Sequence, residues 1–118
     1  MIDPMELRLG NYFMENGEFD IVHANTWQRT SYDDMEPIPI APWILEKAGF
    51  LEIPGSQQQY KLFLGYGYLY ASRKCNEVWF QHDVDGNSYF LHDAEIRYLH
   101  QLQNLYRSLT GKELVISL

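Results

Sequence analysis

The stretch "VWFQHDVDGNSYFLHD", residues 78–93, decides how this chain is read. It holds two His-Asp pairs ten positions apart, His82-Asp83 and His92-Asp93, around an Asp-Gly dipeptide, and so offers either a metal centre or a β-hairpin. The hydrophobic residues choose between them. With Asp85-Gly86 as a two-residue loop, Phe80 pairs with Leu91 and His82 with Tyr89. Val78, Phe80, Tyr89 and Leu91 then share one face, and His92 falls on the face opposite to His82. A three-residue loop would bring the histidines to one face but separate Leu91 from Phe80. An EF-hand alignment fails as well, because starting at Asp83 puts Ser88 where glycine is needed and Ala94 where the bidentate glutamate belongs. The stretch is read as a hairpin, with no metal and no cofactor.

Working outward, the same pattern recurs. In "NYFMENGEFDIV" (11–22), Asn16-Gly17 is a type I′ turn signal. It pairs Met14 with Phe19 and Tyr12 with Ile21 on one side, leaving Glu15, Glu18 and Asp20 on the other side with Phe13 and Val22, which is taken as the outer face. Residues 23–41 read as a loop or short edge strand leading into a short helix, "PWILEKAGF" (42–50), with Pro42 in its first turn, Gly49 just beyond its end and Phe50 packing back. "YKLFLGYGYLYASR" (60–73) reads as two strands around Gly65 and Gly67. The clearest element is "AEIRYLHQLQNLYRSLTG" (94–111), in which Tyr98, Leu99, Leu102, Leu105, Tyr106 and Leu109 fall within an arc of about 120° and every polar residue from Arg97 to Ser108 lies outside it. Asp93 is the expected cap, Gly111 the expected left-handed stop, and "ELVISL" (113–118) a final strand. The expectation is one compact α+β domain, 1–118: a small antiparallel β-sheet built from hairpins with two α-helices packed on it.

The bulk numbers bound the function. A chain of 118 residues with 46% hydrophobic and 15% aromatic content is long and apolar enough to bury a core. No apolar run approaches the ~20 residues that span a bilayer, and the start lacks a basic and an apolar leader segment. A single cysteine, Cys75, suits a reducing compartment, and a cytoplasmic location is expected. The net charge of −7 is carried by residues 1–59, with ten acidic and three basic residues, and the remainder is neutral. Such a field disfavours direct nucleic-acid binding and favours a partner protein with a basic surface. The oligomeric state is not legible.

No catalytic motif stands out: "GYGYLY" lacks the third glycine, lysine and helix of a phosphate loop, and there is no nucleophile elbow. Two surfaces are weak candidates for binding. One is the polar side of the last helix, where His100 and Asn104, and Gln103 and Arg107, are neighbours four apart and are expected to be solvated. The other is the aromatic sheet with Tyr66, Tyr68, Tyr70 and Trp79, which could stack single-stranded bases.

"YLHQLQNLYRSLTGKEL" (98–114), with "ELRLGNYF" and "NGE" near the start and "PIPIAPWILEKAGF" in the middle, resembles a family of small uncharacterised proteins from gut bacteria and their phages or prophages. The resembling segments cover about half of the chain, and Arg107 and Ser108 stand where such relatives carry more hydrophobic residues. The resemblance implies a bacterial or phage setting and a single compact domain, and brings no activity or site residue with it. Composition and motifs together lean away from an enzyme and towards a protein-interaction module. Its rivals are a nucleic-acid-directed role, by base stacking or acidic mimicry of DNA, and a small hydrolase using His100 with a carboxylate brought near by folding.

Overall fold

The computed structural model describes residues 2–28, 31–55, 59–65, 67–74, 77–84, 87–90 and 96–118. It is α+β, with antiparallel sheets built from hairpins and two α-helices. The strands divide between two sheets, and the chain forms two compact units, Met1–Pro39 with Arg97–Glu113, and Ile40–Ile96 with Leu114–Leu118.

The first unit is built on the hairpin of β1 (Tyr12–Glu15) and β2 (Glu18–Ile21), turned by Asn16 and Gly17, both at positive φ (53° and 81°). Its register is the expected one, Tyr12 opposite Ile21 and Met14 opposite Phe19. A third strand, β3 (Met35–Glu36), pairs antiparallel with β1 and is the short edge strand anticipated in that region.

The buried face, however, is the opposite of the one the apolar sorting suggested. Phe13 is 1% exposed and Phe19 44%. Phe13 and Val22 belong to a core cluster with Ile2, Leu7 and Met35, against which Tyr32 packs. The physical reason is the shortness of the strands. The core lies under the base of the hairpin, where Phe13 and Val22 sit; of the carboxylates on the same side, Glu15 and Glu18 stand at the turn, and Asp20, opposite Phe13, is exposed on the edge strand β2. Counting apolar residues along a whole strand weighs tip and base alike, and burial does not.

The second unit opens with α1 (Pro42–Lys47), which ends as expected: Gly49 adopts φ +92°, and the Phe50 N–H returns 2.9 Å to the Leu45 carbonyl while its ring is buried. A five-stranded antiparallel meander follows, β4 (Leu51–Glu52), β5 (Gln59–Phe63), β6 (Gly67–Lys74), β7 (Glu77–Val84) and β8 (Asn87–Phe90), in that order across the sheet. β7 and β8 are joined by the two-residue connection, with His82 opposite Tyr89. Cys75, Leu91, His92 and Asp93 lie outside the described residues.

Residues 113–118 correct the expectation of a closing strand. Leu114 and Ile116 are buried and Val115 is exposed, so the alternation is real, but the segment makes no ladder with the described strands. Instead the Ser117 N–H donates to the Lys47 carbonyl at 3.0 Å, filling one of the acceptors left open at the end of α1.

The inverted hairpin sets a test. Phe13→Ala is expected to cost about 3–5 kcal/mol of unfolding free energy and Phe19→Ala no more than about 1 kcal/mol, measured by denaturant titration. Equal losses would place both rings in the core.

Candidate functional site

The last helix, α2 (Leu99–Thr110), begins later than its periodicity suggested. Residues 96 and 97 are not helical, and Tyr98 is the N-cap, with extended φ −124° and ψ 154°. A side chain from inside the helix closes this end. Gln101 Oε1 accepts from the Arg97 N–H at 2.8 Å and from the Tyr98 N–H at 3.1 Å, the backward half of a capping box. The Leu99 N–H donates to the Ile38 carbonyl, and Pro39 bridges Tyr98. At the other end Gly111 takes φ +71° and its N–H returns to Arg107, as expected.

The apolar stripe behaves as its spacing requires. Leu99 and Leu102 are fully buried, and Tyr98, Leu105, Tyr106 and Leu109 are partly so. Two of the four polar residues expected to face water are buried instead: His100 is 1% exposed and Gln103 2%. What covers them is the N-terminal segment, residues 6–12, held by a set of amide contacts. Gln103 Oε1 accepts from the Tyr12 N–H at 2.9 Å, and Gln103 Nε2 donates to the Gly10 carbonyl at 3.1 Å. One side-chain amide thus brackets Asn11 as the peptide group of an adjacent strand would, on the edge of β1 that the short β3 leaves unpaired.

Asn104 continues the seam. Its Oδ1 accepts from Asn11 Nδ2 at 3.0 Å, and its Nδ2 donates to the Glu6 carbonyl at 3.0 Å. Asn11, itself buried, uses Oδ1 to accept from the Arg8 N–H at 2.8 Å. Gly10 lets the chain into this arrangement. At φ +86° it donates to the Val22 carbonyl while Val22 donates back to Asn11, so that two residues oppose one, the pattern of a glycine-led β-bulge.

His100 is the chemically distinctive member. Its Nε2 lies 3.2 Å from Glu6 Oε1, an oxygen that also accepts from Gln101 Nε2 at 3.1 Å. Its ring stacks on Tyr98, with centroids 6.0 Å apart and planes 7° from parallel. Nδ1 is buried without a hydrogen-bond partner. Burial pushes the pKa of this imidazole below the ordinary histidine value, outweighing the upward pull of Glu6. The ring is therefore neutral near pH 7, with its proton on Nε2 facing the carboxylate. Both imidazole nitrogens lie beneath the surface, while the Glu6 carboxylate beside Nε2 is partly exposed.

Arg107 stands apart from the other three sequence-predicted residues. It is exposed and pairs with Glu113, also exposed, in a surface ion pair of small energetic weight. The structure therefore gathers His100, Gln103 and Asn104 into one seam and leaves Arg107 outside it. Neither helix spacing nor a catalytic motif points to Glu6, Gly10, Asn11 or Gln101; they enter because the stretches 6–13 and 98–114 are each other's partners.

Among the aromatic candidates, Tyr68 and Tyr70 lie half-buried on one face of the five-stranded sheet, and Tyr66 lies outside the described residues. Trp79 occupies the register position opposite Ser72. Among the described residues no three His, Cys, Asp or Glu side chains gather as metal ligands would, and no helix is long and apolar enough to cross a membrane.

No family model matches this chain, and no curated protein or solved structure is significantly similar to it.

Two predictions follow from the seam. Gln103→Leu preserves bulk but strands the Tyr12 N–H and the Gly10 carbonyl, and is expected to cost roughly 2–4 kcal/mol in denaturant titration, whereas Arg107→Ala stays within about 1 kcal/mol. The second concerns pH. Because the folded pKa of His100 is depressed, the unfolded chain binds the extra proton first, and stability is lost as pH falls below the unfolded value of about 6.5. The stability difference between the native chain and His100→Gln should therefore shrink between about pH 7 and about pH 5. A difference that grows over that range would mean a histidine charged in the folded state.

Proposed function

We propose that this chain is a non-enzymatic protein-interaction module of bacterial or phage origin whose partner is a protein with a basic surface. The observation that carries this reading is the outward face of the three-stranded sheet. In register, Phe19, Met14 and Glu36 form one row across it and Ile21 and Tyr12 the next. Phe19 is substantially exposed, Met14, Tyr12 and Ile21 are half-buried, the exposed Glu36 ends the first row, and the exposed Glu18 and Asp20 alternate with Phe19 along the edge strand β2, on its other side. An apolar centre with a charged rim is the anatomy of a protein docking surface. Glu36 on the face and the exposed Glu18 and Asp20 along its edge strand support lysine- or arginine-bearing partners, as does the net charge of −7.

A second reading, a small hydrolase built on His100, is favoured by one contact, the approach of Glu6 to the imidazole. For catalysis the segment 6–12 would have to lift away, breaking the Gln103 and Asn104 bonds.

The two readings separate by capture of proteins from a bacterial lysate, comparing the native chain with the double variant Glu18→Lys, Phe19→Ser. The module reading expects a basic protein retained by the native chain, released by about 0.5 M salt, and not retained by the variant. Retention unaffected by the double variant, or no retained protein together with a hydrolytic activity abolished by His100→Gln, contradicts it.

A further inference from the structure

We propose that the open face of the five-stranded sheet is a self-association surface, occupied by the same face of a second copy of this chain. Alternation sets up the face. Tyr60, Leu69 and Ala71 point to the buried side, Tyr60 opposite Ala71 and Leu62 opposite Leu69 in register. The other side carries Leu51, Lys61 and Tyr70 in one row and Phe63 and Tyr68 in the next. Leu51 is 67% exposed and Phe63 60%. The rings form a contiguous ladder, with centroids 5.3 Å apart from Phe63 to Tyr68 and 6.1 Å from Tyr68 to Tyr70. The Lys61 ammonium lies 5.2 Å from the Tyr68 ring centroid. Large, stiff, partly exposed rings gathered on a sheet face are the side chains that dominate protein contacts.

Charge selects the occupant. Two chains of net charge −7 repel each other, so a contact between copies has to be made where the surface is locally neutral and carries both signs. This face meets that condition. Lys61 on β5 neighbours Tyr70, and Asp83 on β7 neighbours Tyr68, so the two charges flank β6 from opposite sides and on different rows. A nucleic acid would ask for an excess of cations along the face, and a basic partner for an excess of anions; among the described side chains of the face one cation, Lys61, stands against one anion, Asp83.

The placement of Lys61 and Asp83 is self-complementary. A two-fold axis lying in the contact plane, on the diagonal from Phe63 towards position 81, brings Lys61 of each copy opposite Asp83 of the other and sets Phe63 against Phe63. The strands of the two sheets then cross steeply, an orthogonal sheet packing, and the contact is isologous.

Sedimentation equilibrium of the full chain tests this with a charge swap. The native chain is expected to be dimeric at about 100 µM, where a contact of micromolar affinity is saturated. Lys61→Asp and Asp83→Lys should each raise the dissociation constant at least about tenfold, and the double variant should return to within about threefold of the native value. Phe63→Ser should dissociate the dimer independently, and circular dichroism of each variant confirms that it is folded. A native chain that is monomeric overturns the proposal, including the case in which it binds oligothymidylate through Phe63. So does a dimer that survives Phe63→Ser and both single charge reversals, or a folded double variant that stays monomeric.

Discussion

The interaction on which the first unit depends is a side-chain amide that completes a backbone pairing. β3 is only two residues long, so before Met14 the edge that it pairs with has a peptide N–H, of Tyr12, and a carbonyl, of Gly10, with no described strand beside them. Left unpaired beneath the surface, such groups are costly. Gln103 supplies one acceptor and one donor from the same planar group and satisfies both. Because that amide projects from a helix, the sheet edge, the bulge at Gly10 and the helix become parts of one hydrogen-bonded assembly. A hydrophobic residue of similar volume at this position would fill the space and leave the pairing undone.

This explains why the helix is polar on one side without being wet there. His100, Gln103 and Asn104 share a face by the ordinary three- and four-residue spacing, and each meets a group on the segment 6–12. The helix has two interfaces, one apolar and made by Leu99 and Leu102, one polar and made by amides and an imidazole. Two described sheet faces carry the proposed contacts, one beside an acidic edge strand in the first unit and one with both signs in the second. They suit different occupants because charge, not apolar content, separates them.

Much of the architecture was legible in the sequence because it is set locally. Asn16-Gly17 determined the first hairpin's register, Gly49 and Gly111 both helix ends, and the described pairing of β7 with β8 has the register expected of it. What could not be read depends on contacts distant along the chain. Phe13 rather than Phe19 is inside because of where Ile2, Leu7 and Met35 come to lie. Residues 113–118 have a strand's alternation, but alternation does not create a pairing partner. α2 starts at Leu99 because Gln101 caps it from within and Ile38 accepts from its first residue, neither of which the apolar period records. The polar seam was misjudged for the same reason: periodicity separates apolar from polar residues and is silent on whether a polar face meets water or a backbone.

The central claim is that Gln103 takes the place of a missing strand, and native-state hydrogen exchange of the Tyr12 amide tests it most directly. If the claim holds, that amide exchanges only through openings as costly as those that expose Leu102 within α2. Exchange of Tyr12 as fast as that of the turn amide at Gly17, with α2 still protected, would contradict it.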